Sequence, residues 1–338
     1  MKRHPFQLIF LFFAAFAIVA CQTLFAVSPQ PQTPPLQFAY NLWPGYFPIE
    51  IADEKGFFAE QGVNVELIFS ESYSTILSNI GTGNYQGFTT TLGGVMSLVG
   101  HNDDFKIVLV SDRSAGADAL LVNSKIKEVA DLKGKRIGVL LGDFGELLVV
   151  EVLAKHNLSS DDVIFVNADG GDINSYITTG KIDAGVTWQP YISEGLNLGH
   201  QVLLSTKDMP GLMPGVIAFR NSVIRDRPQD IQAFIRAWFQ AQDYWQKHPE
   251  ESQEIIARRL GISLEDVSTE GIELASLPVN QQLLTPNSSN DSLYSIMQVY
   301  IDFSIRKGIL GIVPTIENFI DSQFVQNEFS TLEQDAKS

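Results

Sequence analysis

Cysteine is all but missing: Cys21 stands alone among 338 residues. No intrachain disulfide is available, so packing must hold the fold together. Histidine is scarce too. His4, His101, His156, His200 and His248 show no metal-ligand spacing, and a zinc site needs three or four converging ligands. No glycine-rich phosphate loop is present, and no Ser–His–Asp grouping can be argued. Basic residues are outnumbered, 23 Lys and Arg against 39 Asp and Glu, for a formal net charge of −16. A chain of that charge repels nucleic acid and is kept soluble by its acid excess. Beyond the N-terminus no apolar run reaches the roughly 20 residues a membrane helix needs. What the chain does have is apolar content, 45%, enough for two lobes with separate cores.

The N-terminus sets the expected compartment. Met1-Lys2-Arg3-His4 is a short basic head, and Phe6 to Val19 is an apolar run broken only by Gln7. That length suits a signal-peptide core over residues 1–20. The run ends Ile18-Val19-Ala20-Cys21, which resembles the lipobox of bacterial lipoproteins. The resemblance implies cleavage before Cys21 and lipid on its new N-terminus, which also disposes of an otherwise unpaired thiol. Gln22 to Gln37 then carries Pro29, Pro31, Pro34 and Pro35. Proline fixes φ and cannot donate a hydrogen bond, so residues 21–37 read as an extended tether. Loss of Lys2 and Arg3 with the leader leaves 21 bases against 39 acids, a charge of −18.

From Leu36 short aliphatic runs alternate with amphipathic stretches. Leu36–Asn41, Val63–Phe69, Gly87–Thr91 and Phe105–Ser111 read as strands, with helices at Pro48–Lys55, Ser74–Ile80 and Leu92–Val99. A second set follows, with strands at Ala119–Val122, Arg136–Leu140, Val163–Val166, Ala184–Trp188 and Val202–Leu204 and helices at Glu146–His156 and Ile173–Thr179. The alternation predicts an α/β fold with largely parallel sheets. After the strand Gly215–Phe219 the chain reads as nearly all helix: Pro228–Lys247, Pro249–Arg259, Ser292–Lys307 and Thr315–Ile320. Thr82-Gly83-Asn84-Tyr85-Gln86-Gly87 is echoed by Thr179-Gly180-Lys181-Ile182-Asp183-Ala184. Either two similar lobes repeat one unit, or glycine-rich turns coincide.

Three segments carry a resemblance. The first is Asn41-Leu42-Trp43-Pro44-Gly45-Tyr46 with Ile51-Ala52-Asp53-Glu54-Lys55-Gly56-Phe57-Phe58 and Gly62-Val63-Asn64-Val65-Glu66. The second is Asp131-Leu132-Lys133-Gly134-Lys135-Arg136-Ile137-Gly138-Val139, and the third Asp183-Ala184-Gly185-Val186-Thr187-Trp188-Gln189-Pro190-Tyr191. In order and spacing they resemble substrate-binding proteins of nitrate/sulfonate/taurine-type ABC importers, a group that includes binders of thiamine pyrimidine precursors. The resemblance implies a type II periplasmic-binding-protein fold of two Rossmann-like lobes around a cleft. It places residues 36–114 and 212–338 in lobe one and 115–211 in lobe two, with hinge crossings near Ser114 and near Gly211–Pro214. It implies a monomer without cofactor that binds a small polar organic solute and serves a permease and an ATPase. Two alternatives stand beside it: a ligand-sensing lipoprotein that feeds a membrane receptor, and an enzyme akin to pyrimidine-precursor synthases. The synthases use a histidine and a cysteine-rich iron segment, and that segment is missing here.

Ligands of open α/β sheets bind beyond the carboxyl ends of strands, and the candidate site residues come from there. Trp43 and Tyr46 follow the first strand, and Trp188 and Tyr191 follow a strand of the second set. Their rings can sandwich a ring, an alkyl chain or a cation, or the tryptophans can be core. Ser70, Thr90 and Thr91 end strands, where hydroxyls either bond a ligand or cap helices. Asp112, Asp143 and Asp183 add charge. Sulfonate binders of the resembled group often show Gly followed by Ser or Thr where this chain has Gly142-Asp143. With Glu71 and Asp118 also near strand ends, and Arg113 the one nearby base, this balance points to a neutral or amine-bearing ligand.

Overall fold

The computed structural model describes residues 34–99, 104–286, 289 and 291–335. The leader, Cys21 and most of the tether lie outside the described residues, as does His101.

Among the described residues the chain forms two sheets. The first contains β1 (Leu36–Asn41), β2 (Val65–Ser70), β3 (Gly87–Thr91) and β4 (Phe105–Ser114). The chain then crosses to a second sheet of β5 (Asp118–Val122), β6 (Arg136–Val139), β7 (Ile164–Asn167), β8 (Ala184–Trp188) and β9 (Gln201–Ser205). It returns through β10 (Pro214–Arg220) and later β11 (Ile272–Leu274). Strand order is β11-β4-β10-β3-β1-β2 in one sheet and β7-β6-β8-β5-β9 in the other. Apart from β11 the two orders are the same: β3 and β8 are equivalent, as are β10 and β5.

The expectation of largely parallel sheets needs correction. β1 pairs parallel with β2 and β3, and β6 with β7 and β8. Yet β10 runs antiparallel to β3 and β4, and β5 antiparallel to β8 and β9. The cause is how each strand is reached. A helical crossover returns the chain in the same direction, whereas β5 and β10 enter from the other sheet and meet their neighbours head to tail. The C-terminal region also differs from an all-helical reading. β11 joins the edge of the first sheet against β4, a helix spans Leu277–Leu283, and only a single turn forms at Ile316–Asn318.

Both sheets carry aliphatic strands against helices, as a two-sided α/β core demands. The helix Pro228–Lys247, opened by proline where the missing N–H costs nothing, buries Phe234 and Trp238 fully. Phe234 stacks on Phe38 and Phe58 at centroid distances of 4.7 and 5.2 Å. The two crossings are bonded to each other. Thr206 Oγ1 accepts from Gly116 N at 2.7 Å and pairs with Ser114 Oγ at 2.7 Å, and Ser114 N donates to Met213 O. The bridges between the sheets thus lie side by side.

Candidate ligand-binding cleft

The loop after β1 turns at Pro44 and Gly45 and delivers Trp43 and Tyr46 into the interior. Trp43 Nε1 donates to Asp112 Oδ1 at 2.9 Å, and Ser111 Oγ donates to Asp112 Oδ2 at 2.7 Å. Asp112 sits behind the tryptophan in a slot made by two glycines. A Cβ on Gly45 or Gly215 would lie 2.1 or 2.4 Å from its carboxylate. Tyr46 donates to Thr90 O, and Tyr73 pairs with the hydroxyls of Thr90 and Thr91 at 3.0 Å each.

The second sheet supplies the facing side. β8 ends at Trp188, whose ring fills the place a Cβ on Gly170 would need, 2.2 Å away. The helix Phe144–Lys155 begins with Asp143 as its N-cap, Oδ1 accepting from Phe144 N at 2.6 Å. Asp118 opens β5 and is paired in register with Trp188.

The two faces touch. Trp188 Nε1 donates to Leu42 O at 2.9 Å, and Thr91 Oγ1 donates to Asp143 Oδ1 at 2.6 Å. Asp169 Oδ2 accepts from Ser72 Oγ at 3.2 Å and Ser74 N at 2.9 Å. Tyr73 meets Trp188 edge-on at 6.2 Å. Gly93 abuts the Asp143 turn so closely that a Cβ there would lie 2.0 Å from Asp143 Oδ1. Between the faces remains a cavity of about 50 Å³, lined by residues that include Asn41, Trp43, Tyr46, Tyr73, Thr91, Asp118, Asp143 and Trp188.

Of the residues expected from sequence, Trp43, Tyr46, Thr91, Asp143 and Trp188 line this cavity. The rest stand elsewhere. Asp112 and Thr90 lie behind the wall as supports. Ser70, on the edge strand β2, donates to Ser72 O. Tyr191 packs against the outer side of Trp188 at 6.0 Å. Asp183 precedes β8, at the end opposite Trp188, and is tied to Arg136 at the start of β6. Asn41, Tyr73 and Met213 also line the cavity without a sequence signal, and so does Asp118, which the sequence marks only as an acid near a strand end. The strand-end rule counts carboxyl ends, whereas antiparallel β5 presents its amino end, and with it Asp118, to the same side.

Electrostatically the cavity is unusual. Asp118 is 1% exposed, and neither of its carboxylate oxygens has a hydrogen-bond partner among the described residues. Asp143 Oδ2 and Asn41 Oδ1 are likewise unmet. Burial pushes Asp118 well above the usual carboxylate range, tempered by the nearby Ser114 hydroxyl, with Asp112 and Asp143 adding like charge. Burial also raises Asp143, against its hydrogen bonds from Thr91 and Phe144, and lifts Asp112 to about 6. Tyr46 and Tyr73 are held neutral by burial, with the neighbouring carboxylates reinforcing it.

Two sheets of one topology facing across a cleft define the architecture of periplasmic solute-binding proteins. The chain belongs to the NMT1/THI5-like family, whose model matches residues 43–252. A relative in Brucella abortus (strain 2308), named as a binding protein, is 26% identical over 77% of this chain and 82% of its own. A Bacillus subtilis (strain 168) relative named for binding aliphatic sulfonates is 22% identical over 82% of this chain and 84% of its own. A 4-amino-5-hydroxymethyl-2-methylpyrimidine phosphate synthase of Candida albicans (strain WO-1) is 23% identical over 62% of this chain and 66% of its own. Among solved structures, the periplasmic nitrate-binding protein NrtA of Synechocystis PCC 6803 superposes with a TM-score of 0.74. It is 14% identical, covering 88% of this chain and 89% of that one. The fold is therefore that of the binding-protein class.

Proposed function

We propose that this protein is the extracytoplasmic solute-binding component of an ABC-type importer, capturing a small polar organic solute between its lobes without catalysing a reaction on it. One observation carries the reading: the two faces meet around a small cavity in which buried oxygens of Asn41, Asp118 and Asp143 have no hydrogen-bond partner among the described residues. Buried polar groups are nearly always satisfied, so a cavity like this is built for an occupant that supplies the missing bonds. The lobes proposed are residues 36–114 with 212–338, and 115–211, turning about the paired crossings at Ser114 and Gly211–Pro214. The site proposed comprises Trp43, Tyr46, Thr91, Asp143 and Trp188, joined by Asn41, Tyr73 and Asp118. The partners proposed are a permease and an ATPase, with the binding protein acting as a monomer. The synthase relatives do not shift the reading, because Cys21 is the single cysteine and a cysteine-rich segment cannot be formed.

A thermal-shift screen over sulfonates, nitrate, taurine, aminopyrimidines, polyamines and nucleobases tests the function. An occupant at 100 times its dissociation constant raises stability by about 2.7 kcal/mol. Small-angle scattering with that compound is expected to show compaction as the lobes shut; an unchanged radius at saturation counts against the reading. Export and lipidation at Cys21 are proposed from the sequence alone. Detergent partitioning of the full-length chain is expected to move from the membrane to the aqueous phase in Cys21→Ser, and an anchor elsewhere would leave the two alike.

A further inference from the structure

Anion recognition has a recognisable form: basic side chains or free N–H groups at a helix N-terminus aimed at the ligand. Among the described residues the cleft has no basic side chain, and its one helix N-terminus is capped by a carboxylate of the chain itself. No lysine, arginine or histidine is among its lining residues. Arg113 is paired with Glu273 at 2.8 Å and Lys307 with Glu146 at 2.6 Å. The helix Phe144–Lys155 does point its N-terminus at the cavity, but the chain's own Asp143 already occupies it through Oδ1.

The cavity instead gathers acceptors. Asp118 at 1% exposure contributes two unmet oxygens, Asp143 at 4% contributes Oδ2, and Asn41 at 4% contributes Oδ1. All three residues line the same space. Four acceptor atoms with no hydrogen-bond partner among the described residues, two of the side chains able to carry charge and only the Ser114 hydroxyl nearby, make a costly arrangement in the interior. A ligand with several N–H donors and a positive charge would remove both the hydrogen-bond deficit and the like-charge repulsion. The remaining walls suit such a ligand. Trp43, Tyr46, Tyr73 and Trp188 offer aromatic surface, and ring faces attract cations more strongly once water is excluded.

We propose that the cleft recognises a small organic cation, a molecule whose protonated nitrogen carries several N–H donors, with Asp118 and Asp143 as its counter-charges. The proposal rests on the solute-binding reading above and names the class of solute. A bare metal ion fits less well: among the described residues no three His, Cys, Asp or Glu side chains converge as a ligand set, and four aromatic rings would have no role.

Isothermal calorimetry on the mature protein with putrescine, agmatine, methanesulfonate and nitrate tests this. The cations are expected to bind and the anions not. Asp118→Asn and Asp143→Asn, which keep shape and remove charge, are expected to weaken cation binding by about thirtyfold or more. Their melting curves report separately that each variant is folded. Binding of methanesulfonate or nitrate alone overturns the inference, and so does cation binding that both variants retain at full strength. Silence from all four probes up to millimolar concentration overturns it as well. In each of these cases the solute-binding reading stands or falls separately, on compaction with any compound of the wider panel.

Discussion

At the scale of single residues, the buried carboxylates have a measurable cost. A carboxyl whose folded pKa lies above its unfolded value keeps a proton in the folded state that the unfolded chain has already lost. Stability from that group is then highest at low pH and falls as pH rises toward the folded value. For Asp112 the window runs from 3.8 to about 6; for Asp118 it opens at 3.8, and burial raises the folded value well above that. Surface carboxylates such as Asp162 and Asp131, held low by hydrogen bonds, act in the opposite sense. Comparing wild type with Asp118→Asn cancels them. The ligand-free variant is expected to melt close to wild type near pH 4. It should grow more stable than wild type as pH rises, by at least about 1 kcal/mol at pH 8, the scale of an unmet buried acceptor. A gap that stays flat or narrows with pH would show that Asp118 is not a buried unmet charge. The residue also shows where sequence legibility stopped. Position alone brings Trp43 and Trp188 to the cavity, each at a strand end with proline within two residues. In sequence Asp118 is one acid among several, because the direction of β5 is a tertiary fact that no local pattern carries.

At the scale of elements, most strands and helices could be read to within a residue or two, and the errors have a common cause. Pro228–Lys247 was legible because proline, a long apolar stripe and His248-Pro249 bracket it. The echo around Gly83 and Gly180 was legible, and its reason is now physical. Both glycines follow a helix with left-handed φ values of 82° and 71°, which other residues rarely adopt, and both lead into the equivalent middle strands β3 and β8. What was illegible is structure that exists only through a distant partner. β11 is three residues long and is a strand because β4 lies beside it. Antiparallel entry of β5 and β10 follows from the double crossing. Asp183 looked like a site residue because its motif contains Trp188, yet a strand of five residues separates the two by its whole length, and Arg136 claims the carboxylate.

At the scale of the whole molecule, consider Gly93. Its missing side chain lets the helix Leu92–Leu98 approach the Asp143 turn, with Phe144 N only 2.6 Å from where a Cβ would be. A protein that captures by shutting has two independent determinants of affinity: how well the shut cavity suits its guest, and what fraction of molecules is shut before the guest arrives. Apparent affinity scales with that fraction. Gly93→Ala acts on the second and, because its Cβ would meet Asp143 Oδ1 at 2.0 Å, also presses on a residue of the proposed site. It is expected to leave the melting temperature of each lobe nearly unchanged and enlarge the scattering radius. It should also weaken binding of any solute by about tenfold or more, most for solutes that bond Asp143. An unchanged radius with undiminished binding would show that position 93 does not control the approach of the two faces. If the lobes close as proposed, affinity would be tunable from a position outside the cavity lining, by a methyl group that works as a doorstop.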